Sequence, residues 1–220
     1  MKLGAALLLA AGIAAFANAA PDSVPGHLDP HHHIRLQNGY VRVMETRLEP
    51  GEATLPHSHP IEAAVVFLTE GSFQITLDDG SIQESTAKAS TVAFGDSAIV
   101  HRTKNIGDAL ARTITVEIFS QPPASGELGT DFSLGDTLLD NEKVRMARLR
   151  IKPQELVELS GSTPTVLVAL SSGTLGQPDS GLPRLLGVGD VLWSEPGGKA
   201  VRNYGNEYFE AIIISLKPRR

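Results

Sequence analysis

Residues 50–71 read PGEATLPHSHPIEAAVVFLTEG, and the fold can be predicted from this segment outward. Two histidines, His57 and His59, are separated by a single residue within a β-type segment that is bounded by Gly51 and Gly71. Side chains alternate along a strand, so both imidazoles point from the same face. One metal ion can therefore bind to both of them.

A third imidazole lies downstream. His101 ends an apolar run and is followed by Arg-Thr-Lys-Asn105-Ile-Gly. Three neutral imidazoles from separate strands suit a divalent first-row metal ion. The sequence therefore predicts a metal site at His57, His59 and His101.

These motifs resemble those of the cupin superfamily. The first family motif reads G-x5-H-x-H-x3/4-E-x6-G and the second ends in H-x3-N; Gly51, His57-x-His59 and His101-x3-Asn105 follow this pattern. The resemblance implies small all-β jelly-roll barrels, also called double-stranded β-helices, with a metal ion inside. It carries the three histidines over as ligands.

The chain departs from the family at the carboxylate. The family's Glu falls at Ala64, and the Pro and second Gly that precede the third histidine are replaced by Asp96 and Ala98. Glu62, two residues before Ala64, is the remaining candidate for a fourth ligand. Three imidazoles without a carboxylate leave a dipositive centre, which favours an anionic or chelating substrate such as an enolate, carboxylate or catecholate.

The resemblance implies a dioxygenase-type oxidoreductase, similar to quercetinase-like cupins, that acts on a small anionic or enolic molecule. Fe(II) is the expected metal, with Mn(II), Ni(II), Cu(II) and Zn(II) as alternatives. Phe67 and Gln74 are candidate substrate contacts, and Gln74 and Thr76 are expected to line the barrel on the metal side. Two other classes stay open: a non-enzymatic metal or small-ligand binding protein, and a structural bicupin whose histidines are relics.

The rest of the chain predicts two tandem barrels. Short alternating strands with frequent turns fill residues 35–121, and a linker rich in Pro and Gly is expected over 122–138. Residues 139–220 repeat the first half, since Asn141-Glu-Lys-Val-Arg echoes Asn38-Gly-Tyr-Val-Arg at constant spacing. We therefore expect a duplicated all-β protein.

The second copy lacks the metal ligands. Ser160 and Ser162 correspond to the paired histidines, and Lys199 to Val201 corresponds to the region of His101. All 7 histidines lie at or before His101 and there is no cysteine, so the second barrel offers no imidazole or thiolate site. Its expected role is to cover a sheet of the first barrel or to close a dimer interface, and a homo-oligomer is left open. Val116-Glu-Ile is expected to match Ile213-Ile-Ser.

The N-terminus predicts export. Residues 1–19 contain a charged start, an apolar run and a small-residue site typical of a signal peptide that is cleaved after Ala19. The protein is then periplasmic or secreted, without a membrane anchor. The net charge of −6 argues against nucleic acid as a partner.

A cluster of imidazoles follows the predicted signal peptide. Residues 20–34 are expected to form an exposed lead-in, because Pro, Gly and Asp are frequent there. It contains His27, His31, His32 and His33, for which a solvated surface cluster is the ordinary interpretation; metal capture is the alternative.

Overall fold

The computed structural model describes residues 23–95, 99–123, 135–159, 161, 163–178, 180–197 and 200–219. In the first barrel these residues form a 3-10 helix (Gly26–Leu28) and the strands β1 (Val24–Pro25), β2 (His32–Gln37), β3 (Val41–Leu48), β4 (His57–Ser58), β5 (Ala63–Phe67), β6 (Gly71–Leu77), β7 (Ile82–Ala87), β8 (Val92–Gly95), β9 (Val100–Asn105) and β10 (Ala111–Ile118). The second barrel contains β11 (Asp136–Asp140), β12 (Val144–Ile151), β13 (Leu156–Glu158), β14 (Thr165–Ala169), β15 (Gly173–Gln177), β16 (Ser180–Leu186), β17 (Val191–Ser194), β18 (Ala200–Asn203) and β19 (Phe209–Leu216). Among the described residues, no helix has the length and apolar character needed to cross a bilayer.

Both barrels have the same strand topology. In the first, β2-β3-β10-β5-β8 form the inner sheet and β1-β4-β9-β6-β7 form the outer sheet. In the second, β11-β12-β19-β14-β17 and β13-β18-β15-β16 follow the same orders, offset by nine strand numbers and without a counterpart of β1 among the described residues. The predicted all-β architecture of two tandem barrels is therefore confirmed.

The duplication is visible at a buried asparagine in each barrel. Asn105 donates its amide hydrogens to the carbonyl oxygens of Leu48 and Ala109 at 3.0 and 2.7 Å, and its side-chain oxygen accepts from the backbone N–H of Gly107. Asn203 makes the equivalent bonds in the second barrel. These side chains satisfy buried backbone groups where two strands and a turn meet.

The two inner sheets share one hydrophobic core. Ile114 and Val116 of the first barrel belong to the same buried cluster as Val144, Ile212 and Ile214 of the second. The second barrel therefore covers the outward face of the first barrel's inner sheet, which is one of the two roles expected for it. The other face of that sheet points into the first barrel, because side chains alternate along each strand.

The barrel interiors differ in how they are filled. Strand pairing places Ala111 opposite Leu48 and Phe209 opposite Ile151, so Ala111 and Phe209 are equivalent positions. Phe209 is fully buried within the second barrel's own apolar cluster. With small or polar side chains on the inward face of β10, the first barrel keeps an internal cavity at this position, which the Phe209 ring occupies in the second barrel. The second barrel has a separate pocket of about 230 Å³, which is lined by Leu159, Leu175 and Trp193 among others.

Two glycines of the first motif have different physical roles. Gly51 has φ +82°, a conformation that requires glycine for steric reasons, as expected for a tight turn. Gly71 begins β6 without a positive φ. A Cβ there would lie 2.8 Å from Cζ of Phe73, so a larger residue would have to displace that ring.

The N-terminal segment differs from the expected exposed lead-in. Val24 pairs in parallel with His57, and His32 pairs with Thr46 of β3, so residues from Val24 onward belong to the first barrel. The expected linker overlaps β11, which begins at Asp136. The predicted signal peptide, Asp96 and Ala98, Ser160 and Ser162, Lys199 and most of the linker lie outside the described residues.

Candidate metal centre

The three predicted ligands come together at one end of the outer sheet. β4 pairs with β9 so that His57 lies opposite His101. Their ring centroids are 4.4 Å apart, and the His59 ring lies 5.1 Å from His57 and 5.6 Å from His101. Residues more than forty positions apart in sequence thus form one imidazole cluster.

His32 is a fourth member of this cluster, and the sequence did not predict it. Its ring lies 4.8 Å from that of His57 and 5.9 Å from that of His59. Nitrogens of His32, His57 and His59 all lie within 4.8 Å of one another, which makes these three residues a candidate metal-binding group. The interpretation of a solvated cluster is wrong for His32, which is only 8% exposed.

His32 is the last residue of the N-terminal strap, which we define as residues 24–32. The buried Asp29 accepts hydrogen bonds from the backbone N–H of His31 at 2.8 Å and of Leu55 at 2.6 Å. Gly26 lies so close to the site that a Cβ would be 2.9 Å from Cε1 of His59. The strap is therefore fastened to the segment that carries the paired histidines.

Hydrogen bonds set the tautomers of the predicted ligands. Nδ1 of His57 lies 2.9 Å from the carbonyl oxygen of Leu55, and Nδ1 of His101 lies 3.3 Å from that of Ile99. These oxygens can only accept, so each Nδ1 carries the proton and each Nε2 keeps a free lone pair. Nδ1 of His32 is buried without a hydrogen-bond partner and lies 3.7 Å from Oδ1 of the buried Asp29. The donor set therefore fits a divalent first-row metal.

The pKa values of His32, His57 and His101 are lowered, which keeps these three imidazoles neutral. Burial lowers the pKa of His32 to about 3, with the neighbouring His57 and His59 acting in the same direction. Burial and the same two neighbours lower the pKa of His101 to about 3, and burial also lowers that of His57. Neutral imidazole is the form that binds a metal, so protons compete little at neutral pH.

A buried carboxylate contacts the cluster. Oε1 of Glu117, at the end of β10, accepts a hydrogen bond from Nδ1 of His59 at 2.9 Å, and its Oε2 accepts from Arg42 at 2.9 Å. Burial alone would raise the pKa of Glu117, but the contacts with His59 and Arg42 outweigh burial and lower it. Sequence reasoning missed this residue and also misaligned it. Glu117 lies opposite Arg42, and Ser215 lies opposite Arg145, the equivalent arginine of the second barrel. Glu117 therefore corresponds to Ser215 and not to Ile214.

A cavity of about 240 Å³ adjoins the histidines. Its walls are apolar side chains with a few hydroxyl groups, and no Lys, Arg, Asp or Glu is among the described residues that line it. The lining residues include Leu48, Val65, Phe67, Phe73, Ile75, Thr103, Thr113 and Thr115. The space exceeds the roughly 150 Å³ of an apolar cavity that holds benzene, so it can accept a substituted single ring.

The remaining candidates fall in different places. Phe67 lines the cavity, and its role toward a substrate stays a prediction. Gln74 and Thr76 were expected to face the metal, but Phe73 and Ile75 line the cavity instead, and Gln74 donates to Glu84 on the other face of the sheet. The carboxylate of Glu62 pairs with Nζ of Lys143 in the second barrel at 3.0 Å, and its role as a fourth ligand stays a prediction.

Comparison with known proteins agrees with this geometry. The family model described as "Cupin domain" matches residues 44–117, which contain all three histidines of the two motifs. The first barrel therefore matches the cupin domain family over residues 44–117. The second barrel repeats its strand topology. No curated protein sequence is significantly similar to this chain.

Solved structures resemble the double barrel as a whole. AerE from Microcystis aeruginosa matches with TM-score 0.59 and 13% identity, over 86% of this chain and 98% of that one. A putative glyoxylate-induced protein from Pseudomonas aeruginosa matches with TM-score 0.58 and 14% identity, over 86% and 80%. A salicylate 1,2-dioxygenase from Pseudoaminobacter salicylatoxidans, solved as gentisate adducts, matches with TM-score 0.52 and 11% identity, over 80% and 68%. At these identities the likeness concerns the fold alone.

Proposed function

We propose that this bicupin is a metal-dependent oxidoreductase of the dioxygenase type, active only in its first barrel. His32, His57, His59 and His101 would hold one divalent ion, with Fe(II) as the leading candidate. The observation that carries the proposal is a set of buried imidazoles beside an apolar cavity of about 240 Å³. A ferrous ion would supply the electron-transfer chemistry that lets dioxygen react with an organic substrate.

The chain's own residues would bind and orient the substrate. Four imidazoles occupy part of an octahedral coordination sphere and leave about two positions for exogenous ligands. Phe67, Phe73 and Ile75 form the apolar walls and would exclude water from the reacting atoms. The hydroxyl groups of Thr113 and Thr115 are available for hydrogen bonds to polar substituents.

The cavity narrows the substrate class. Because its described lining carries no cationic side chain, the metal alone would balance the charge of a substrate anion. We therefore favour a small, largely apolar molecule with one enolate or phenolate oxygen over a dicarboxylate. The structural neighbour that is a salicylate 1,2-dioxygenase indicates that this fold supports chemistry on a hydroxylated ring.

A second candidate function is non-enzymatic metal binding. Four imidazoles satisfy a tetrahedral ion such as Zn(II) completely and leave no open position for a substrate. The number of histidines in the cluster is the specific observation that favours this alternative.

Oxygen consumption by Fe(II)-loaded protein tests the proposal. A panel of enolic and phenolic monocycles is compared with aliphatic dicarboxylates, and the double variant His57→Ala, His59→Ala is the control. We expect uptake with at least one enol or phenol and none in the variant. Tight Zn(II) binding without oxygen uptake would favour the binding protein instead.

We further propose that the protein is exported and acts on a free small molecule. The N-terminal sequence supports cleavage after Ala19. The mass of the protein recovered outside the cytoplasm would equal that of residues 20–220 if this is correct, and that of the full chain if it is not. Size-exclusion chromatography with light scattering would decide whether a homo-oligomer forms.

A further inference from the structure

We infer that Glu117 is the positioning residue of the metal centre, a buried anion that orients His59 toward the ion. The inference rests on the proposed metal site and adds a role outside the set of ligands. It concerns a carboxylate that accepts a hydrogen bond from His59 and lies on β10, a strand without histidine.

The placement of Glu117 is specific. Thr113 and Thr115 of β10 line the cavity, and alternation puts Glu117 on the same inward face. It lies opposite Ala63 of β5, whose small side chain also lines the cavity and leaves room for a carboxylate. Ala64, the position without the family's Glu, belongs to the core between the barrels. The inward carboxylate is therefore supplied by the neighbouring strand.

The hydrogen-bond acceptor of His59 differs in charge from those of the other predicted ligands. His57 and His101 direct Nδ1 at backbone carbonyl oxygens, which are neutral acceptors, whereas His59 directs Nδ1 at an anion. A carboxylate acceptor fixes the ring, keeps the proton on Nδ1 and makes Nε2 a stronger donor. The backbone of His59 is also less constrained than that of His57, because His59 follows the end of β4 and lies outside the pairing of β4 with β9.

Arg42 completes the arrangement. Its guanidinium binds Oε2 of Glu117 at 2.9 Å and stacks over the Phe119 ring at 5.0 Å. The carboxylate of Glu117 is 0% exposed. One of its oxygens accepts a hydrogen bond from Arg42 and the other accepts one from His59. Arg42 and Glu117 together are neutral, so the effect on the metal is local and acts through His59.

The second barrel provides an internal comparison. Ser215 occupies the equivalent position, opposite Arg145. There Arg145 donates to Oγ1 of Thr137, and Ser215 lies 3.4 Å from the hydroxyl of Thr165. The barrel that has no histidines thus has no carboxylate at this place, although the arginine is kept. The carboxylate at this position thus occurs in the barrel that carries the histidines, which agrees with a role toward the imidazole.

Metal affinity tests the inference without reference to catalysis. Co(II) is titrated into metal-free wild type, Glu117→Gln, Glu117→Ala and Arg42→Ala in competition with a chelator, and the visible spectrum of bound Co(II) reports the ligand geometry. Loss of an outer partner of a ligating histidine weakens metal binding by about 10–100-fold. We expect a loss in this range for Glu117→Ala, a smaller loss for Glu117→Gln, which keeps an oxygen acceptor, and an altered spectrum in both.

Controls separate positioning from a structural ion pair. Ser215→Ala should bind Co(II) like wild type. Arg42→Ala breaks the same ion pair but leaves the contact with His59, so it should lose less affinity than Glu117→Ala. If Glu117→Ala does not fold, the nearly isosteric Glu117→Gln decides. Wild-type affinity and spectrum in folded Glu117→Gln and Glu117→Ala would overturn the inference alone, whereas a wild type that binds no Co(II) would overturn the metal site with it.

Discussion

Acidification should destabilise the metal-free protein well before its carboxylates titrate. His32 and His101 have pKa values of about 3 in the folded state, against the ordinary 6.5 in the unfolded chain. Between these values the unfolded chain binds protons that the folded protein does not. The free energy of unfolding therefore falls as the pH drops below the ordinary histidine pKa.

The size of this effect follows from linkage. At about pH 5.5, roughly one unit below the unfolded pKa, protonation stabilises the unfolded chain by about 1.4 kcal/mol for each such imidazole relative to about pH 7.5. His32 and His101 together give about 3 kcal/mol. His57, whose pKa is also lowered, acts in the same direction.

Urea unfolding followed by circular dichroism, in the presence of a chelator, measures this difference. We expect the free energy of unfolding to fall by about 3 kcal/mol or more between the two pH values. The double variant His32→Asn, His101→Asn should lose most of this dependence. A change below about 0.5 kcal/mol in wild type would refute the buried, neutral state of these imidazoles.

Three further predictions concern the barrels. Ala111→Phe should place a ring in the first cavity, at the position that Phe209 holds in the second barrel. Calorimetry should then show at least about tenfold weaker binding of the enolic or phenolic ligand with unchanged metal content. Loss of the metal would contradict this account. Phe209→Ala should lower the free energy of unfolding by about 3–5 kcal/mol in urea while the metal stoichiometry stays the same. A decrease below about 1 kcal/mol would mean that the Phe209 ring is not tightly packed in the second barrel. Gly51→Ala should cost about 1 kcal/mol in thermal unfolding because of its φ of +82°, and an unchanged midpoint would show that the turn relaxes.

The sequence predicts the barrels well because the relevant signals are local. Alternating strands, the repeated Asn-x-x-x-Arg segments and the paired histidines each act within a few residues. His101 was also predicted, because the His101-x3-Asn105 spacing resembles the end of the second cupin motif; His101 lies near the start of β9 and Asn105 at its end. The same buried asparagine appears as Asn203 in the second copy.

The missed parts of the site depend on tertiary contacts. Nothing local indicates that Val24 pairs in parallel with His57, and without that pairing His32 reads as part of a polar surface cluster. Glu117 did leave a signal: it is a lone acidic residue on the face of β10 that also carries Thr113 and Thr115. The prediction for Gln74 failed because polar side chains of β6 face away from the cavity while Phe73 and Ile75 line it.

X-ray absorption spectroscopy on metal-loaded protein tests the imidazole centre most directly. Four imidazole nitrogens should surround one Fe(II) or Zn(II) ion, and His32→Ala and His101→Ala should each remove one nitrogen from that shell. An ion bound mainly by oxygen, or a shell that does not change in either variant, would contradict the account.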